Sequence, residues 1–141
     1  MKFNVNQQDL QKSLNYCQGV IEKRSTLPIL SNILLETGNS KLTITATDLD
    51  LIFIHQINDV EVLEEGKTTT MASTMYDIVR KFSSGKKINL SLSEENRLHL
   101  ESEKSVFNLN CLRSYTIFFL NFLLVFEITI KQSSDIRTSS V

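Results

Sequence analysis

A chain of 141 residues, 41% apolar and 22% charged, has the size and composition of one soluble globular domain and leaves little room for a second. Its formal charge of −1 excludes the molecule-wide basic field that drives tight nucleic-acid binding. The two cysteines, Cys17 and Cys111, are far apart, lack metal-ligand spacing and read as reduced core thiols of a cytoplasmic protein; the amino terminus has no apolar stretch of signal-peptide length, so no export is expected.

Residues 2–5 alternate polar and apolar, as a half-buried first strand does. Asn6 followed by Asp9 marks a helix start: a capping side chain, then an acid facing the positive end of the helix. Leu10, Leu14, Cys17 and Ile21 then recur at helical spacing, and Gly19 is a natural stop. The other face of this helix is polar and almost free of acids, with Lys12 upon it. A basic pair, Lys23 and Arg24, follows in a loop whose far side is anchored by Leu27, Pro28 and Ile29. Proline fixes its own φ and pushes the residue before it into extended backbone, so this segment enters a strand instead of continuing a helix.

Strands are predicted at 31–37, 41–47 and 51–58, the first two joined as a hairpin by Gly38, Asn39 and Ser40. Residues 51–54 are apolar on both faces, which fits a strand covered on both sides or one only loosely specified. An acidic connection, 59–66, ends the first half. The order then repeats: a strand at 67–71, a helix at 72–83 with its stripe at Met75, Ile78, Val79 and Phe82, a stop at Ser84 and Gly85, and strands at 88–93, 98–102 and 105–110. Asp77, Arg80 and Lys81 turn away from the second stripe. Two amphipathic helices on one side of antiparallel strands make an α+β domain with an internal strand–helix–strands pseudo-repeat.

No catalytic constellation emerges. His55 and His99 stand apart from any nucleophile or ligand pair, and the four glycines are isolated, so no phosphate-cradling loop exists. Asp48 and Asp50 share a face if extended and could hold a hard cation, which would suit a small metal-dependent hydrolase; the plainer reading is a turn in which each caps its own backbone. The basic residues are more informative. Lys12, Arg80 and Lys81 lie on the polar helical faces, Lys23 and Arg24 follow the first helix, and Lys86 and Lys87 follow the second, whereas Glu61, Glu64, Glu65, Glu94 and Glu95 fall in connections elsewhere. Such a face offers weak, salt-sensitive, sequence-blind contacts to phosphates, either as part of something larger or as a stand-alone module for nucleic acid or protein; it is equally the pattern of an ordinary solvated helix surface.

The series Arg24-x-Thr26-Leu27-Pro28-Ile29-Leu30-x-Asn32-x-Leu34-Leu35, then Thr47-Asp48-Leu49-Asp50, with the opening Met1-Lys2-Phe3 and the helix ending near Gly19, resembles the first domain of the bacterial DNA polymerase III beta subunit, the replicative sliding clamp. The resemblance covers residues 1–112. It implies a clamp domain whose helices line a ring around double-stranded DNA, with no catalysis, no metal and no cofactor. Arg24 stands at a position that touches DNA in that family, and Lys12 and Arg80 at lumen-facing ones, with Lys23 and Lys81 beside them. Ser73 and Thr74 stand where the family has basic residues. Phe107 and Leu109 resemble the apolar patch of the joint between protomers, or are simply buried in their own core; Arg97 and Lys104 resemble charges that pair across that joint. The implied partners are DNA, a second clamp protomer, the replicative polymerase and the clamp loader, in the cytoplasm and away from membranes.

Residues 113–141 break the pattern. Arg113 replaces a family proline, and residues 117–126 form an apolar run too short to span a bilayer and without helical or strand periodicity. This end reads as an aberrant tail, from a frame change, a decayed gene or truncation, in place of the linker and the start of a second domain. A chain with one clamp domain would lack the parts that close a ring and bind polymerase peptides, so a remnant without clamp activity is the rival reading.

Overall fold

The structure is a computed structural model and describes residues 1–21, 31–47 and 51–111. The first half runs β1 (Lys2–Asn6), α1 (Gln7–Val20), β2 (Asn32–Gly38), β3 (Lys41–Thr47) and β4 (Ile52–Ile57). A short strand, β5 (Glu61–Glu64), precedes the second half: β6 (Gly66–Met71), α2 (Ala72–Val79), β7 (Lys87–Leu92), β8 (Arg97–Ser102) and β9 (Ser105–Asn110). The strands build two antiparallel sheets, five strands in the order β5-β1-β7-β8-β9 and four in the order β4-β3-β2-β6.

The halves exchange their leading strands. β1 pairs with β7 of the second half, Phe3 opposite Leu90, and β6 pairs with β2 of the first half, Leu35 opposite Thr68. Neither sheet is complete without a strand from the other half. The inner faces of both sheets then share one core with both helices: Phe3, Ile88, Leu90, Leu98 and Leu100 from the five-stranded sheet, Ile33, Leu35, Leu42 and Ile44 from the four-stranded one, Leu10, Leu14 and Cys17 from α1, Met75, Ile78 and Val79 from α2. Burying each such leucine or phenylalanine contributes about 1.5–3 kcal/mol. Burial also pushes the Cys17 thiol up to about 12.

Local chemistry explains the elements. Asn6 has extended backbone and its side chain accepts from Gln8 N–H, so it caps α1, with Asp9 in the first turn. Asn39 and Ser40 hold φ of 52° and 59°, the left-handed pair that a two-residue hairpin between β2 and β3 demands. Gly66 lies against the N-terminal residue, where an added Cβ would stand 2.6 Å from Met1 Cβ, so glycine alone fits. Met1 is itself buried, and its amino group pairs with Glu64 at 3.0 Å.

Three expectations are corrected. Residues 59–66 are not merely a connection: Glu61–Glu64 form β5 along the open edge of β1, Val62 packing on the core while Asn4 donates to Glu61 Oε2 at 2.8 Å. The second helix stops at Val79 instead of residue 83, because Lys81 and Phe82 N–H groups bond three residues back and tighten the chain into turns. The segment 51–58 is an edge strand with one core face, Phe53, His55 and Ile57 lying opposite Ala46, Ile44 and Leu42, while Ile54 is 56% exposed.

Candidate nucleic-acid interface

The two helices lie side by side and are pinned at one end. Gln7, the first residue of α1, is buried; its amide donates to the Val79 carbonyl at the end of α2 (3.0 Å) and its backbone N–H to Lys86 O (2.9 Å). Gln8 donates to Ser84 Oγ at 2.6 Å. These bonds fix how the outward faces of the helices meet. Along the seam runs a shallow groove lined by Gln8, Gln11, Lys12, Asn15, Tyr76 and Ser84, with no acidic residue among them. Lys12 is exposed on α1. Arg80, in the turn that closes α2, lays its guanidinium over the Tyr76 ring at 5.5 Å. Tyr76 therefore shares the groove with Lys12 and carries Arg80 over its ring.

Arg80 is also exposed and paired with Asp77 at 3.4 Å, a surface pair that water and salt weaken. Lys81 parts company with it and leans over the Phe107 ring at 5.8 Å, toward β9. Lys86 is engaged by Glu103 at 3.2 Å. Arg24 and Lys23 lie outside the described residues, as do Asp48 and Asp50. The acids foreseen elsewhere are elsewhere: Glu61 and Glu64 on β5, Glu94 and Glu95 in the turn before β8. Tyr76 went unnoticed in the sequence, although its spacing of four from Arg80 places the two on one side of a helix.

The histidines are structural. Ser13, buried on α1, donates its only hydroxyl proton to the Asp9 carbonyl (2.9 Å), so His55 Nδ1, also at 2.9 Å, donates to Ser13 Oγ. That proton arrangement leaves no activated serine. His55 stacks on Phe53 and meets Tyr16 edge-on, whereas His99 bonds Asn108 at 2.8 Å on the far side of the other sheet. Among the described residues no three His, Cys, Asp or Glu side chains gather as a metal site. No helix among them is long and apolar enough to cross a membrane.

The other predicted surface falls on the β8–β9 hairpin. Leu109 is 7% exposed and belongs to the core, and Phe107, half-buried, meets Phe82 edge-on at 5.4 Å; both side chains turn into their own domain, the simpler of the two readings for the pair. Among the described residues β9 is an edge strand, with Val106, Asn108 and Asn110 facing outward. Arg97 and Lys104 mark opposite ends of the hairpin, Arg97 opposite Asn110 and Lys104 in the turn after Ser102. Among the described residues Arg97 pairs with Glu95, at 3.9 Å.

The family model described as DNA polymerase III beta subunit, N-terminal domain, matches residues 1–117. A beta sliding clamp of Caulobacter vibrioides is 40% identical over 110 residues, 77% of this chain and 29% of the relative. One of Escherichia coli K12 is 37% identical over 112 residues, 79% of this chain and 30% of the relative. The crystal structure of a beta sliding clamp from Caulobacter crescentus superposes with a TM-score of 0.75 at 39% identity, covering 81% of this chain and 30% of that one. That of a DNA polymerase III beta subunit from Pseudomonas aeruginosa gives 0.75 at 30% identity, covering 81% and 31%. The chain thus spans under a third of the length of the curated relatives it matches.

Proposed function

The chain belongs to the DNA polymerase III beta subunit family, and from that premise we propose that residues 1–112 serve as the N-terminal domain of a sliding clamp, a non-catalytic processivity factor that holds the replicative polymerase on double-stranded DNA. The observation that carries this reading is the helical seam, where Lys12 and Tyr76 line one groove with no acid among its described lining residues and Arg80 lies over the Tyr76 ring. A clamp must slide, so its inner wall should attract phosphates weakly and without direction, leaving enclosure to do the holding. Two exposed cations, one of them shared with Asp77, suit that task better than a tight basic patch would. Lys23 and Arg24, which follow α1 in the sequence, would add a second contact, and Lys81 lies at the margin of the seam.

The edge of β9 is the proposed joint with a second protomer. Among the described residues β9 stands at the edge of the five-stranded sheet, which a partner strand could extend, Phe107 and Leu109 back the strand from within, and Arg97 and Lys104 present charge at either end. The replicative polymerase and the clamp loader would engage the complete ring in the cytoplasm. Residues 113–141 stand in place of the linker to the next domain.

Fluorescence anisotropy of the full chain with two 30-bp duplexes of unrelated sequence tests the proposal. The expected result is weak binding at 50 mM salt, alike for both duplexes and largely lost at 200 mM. Lys12→Ala and Arg80→Ala should each weaken it severalfold and lower the salt slope by about 1. Sequence-selective binding, or binding indifferent to both substitutions, would refute it.

A further inference from the structure

A second groove lies on the other side of Lys12, between α1 and the edge strand β4. Asp9, Ser13 and Tyr16 recur at spacings of four and three, one stripe of the helix, and this stripe meets Phe53 and His55 of β4. The groove has a volume of about 220 Å³, and its lining includes Asp9, Lys12, Ser13, His55, Gln56 and Asn58. Asp9 and Lys12 stand three apart on the helix, within reach of one another, yet neither makes an ion pair among the described residues. One carboxylate and one ammonium therefore open on the same cavity without a partner. One turn further along α1, Tyr16 is 45% exposed. It is nevertheless held: His55 meets it edge-on at 5.8 Å, Phe53 lies 6.3 Å away, and those two rings are parallel to within 4°. His55 is itself tied through Nδ1 to Ser13. Two fixed rings thus prop a third that is half open to water.

We propose that this groove binds a nucleotide with an unpaired guanine base, free or at the end of a strand. Three features select that chemistry. A propped, exposed ring is a platform on which a base stacks. A carboxylate only accepts hydrogen bonds, and guanine is the base whose pairing edge sets two donors side by side, N1–H and the N2 amino group, to match both oxygens of Asp9. Adenine and cytosine offer an amino group beside an acceptor, and thymine a single N–H between two carbonyls. The Lys12 ammonium supplies the phosphate contact, while the amides of Gln56 and Asn58 serve the sugar or the base carbonyl. An amino acid would satisfy the two charges and leave the Tyr16 ring unused. Within a duplex the guanine edge is taken by cytosine, so this groove reads only unpaired bases. The inference goes beyond the clamp reading and stands whether or not the helical seam meets DNA.

Titration of the full chain with 2′-deoxyguanosine monophosphate, followed by amide chemical shifts, tests it; thymidine monophosphate and inorganic phosphate are the controls. The guanine nucleotide should bind about tenfold more tightly than the thymine one, the worth of one bidentate pair, with shifts at Asp9, Tyr16 and His55 that phosphate alone does not reproduce. Asp9→Asn should remove the preference. Tyr16→Ala should weaken both nucleotides about fivefold or more, and Tyr16→Phe, which keeps the ring, should restore them. Lys12 lines both grooves and is left intact. Equal affinity for the two nucleotides, a preference that survives Asp9→Asn, or shifts matched by phosphate would overturn the proposal. Should Tyr16→Ala unfold the chain in urea-free buffer, Asp9→Asn alone decides. A short duplex with one unpaired 3′ guanine then separates the two sources. Tighter binding than its blunt form, lost with Asp9→Asn, assigns the groove to a strand end; no gain, with the mononucleotide still bound, assigns it to the free nucleotide. Blunt-duplex binding reports on the seam alone, so failure of either reading shows separately.

Discussion

The two halves of the molecule follow one plan and differ in how they support their helix. In the first, a 14-residue helix begins at a capping asparagine and carries Lys12 on its open face. In the second, an 8-residue helix begins at Met71 without a side-chain cap, and its cation, Arg80, stands in the closing turn. A helix of two turns is marginal by itself; α2 is held by Met75, Ile78 and Val79 in the common core and by the Gln7 amide on its last carbonyl. The first half therefore supplies order that the second borrows. What spans the seam can be no more rigid than that loan.

The largest test of the comparison lies in the exchanged strands. Phe3, fully buried on β1, sits in the second half's sheet although it belongs to the first half. Phe3→Ala should cost about 3–5 kcal/mol, and amide exchange should show β2–β3 and β7–β8 losing protection together. Loss confined to β7–β9 would mean that the halves open separately. A smaller effect probes the unequal caps. Asn6→Ala should destabilise by about 1 kcal/mol, and Met71→Asn, which gives α2 the cap it lacks, should stabilise by up to about 1 kcal/mol, both read from urea unfolding. Equal losses from both substitutions would show that the two helix starts do not differ as described.

Much of this fold was legible from periodicity. Leu10, Leu14 and Cys17 announce α1, Asn6 its start, and Gly38, Asn39 and Ser40 the hairpin, because each signal is local. The strand exchange was not legible: alternation tells which side chains face inward, not which strand lies alongside, and the partners of β1 and β6 are distant in sequence. β5 was hidden by its glutamates, which an exposed edge tolerates. The early end of α2 escaped notice because Arg80 and Lys81 are good helix formers, whereas the tightened bonds of Lys81 and Phe82 close the helix where Phe82 packs against the distant Phe107. Of the candidate site, Lys12 and Arg80 were visible as charges on helical faces, but that Tyr76 joins them while Lys81 departs depends on which rings lie nearby.

The most direct measurement is an amide chemical-shift titration of the full chain with a short duplex at low salt. Perturbations should gather on α1 and α2 along the seam, around Lys12, Asn15, Tyr76 and Arg80, and leave the outer face of the five-stranded sheet, from Asn89 to Glu101, unchanged. Shifts centred on that sheet, or spread evenly over both sides of the molecule, would contradict a helical face turned toward DNA.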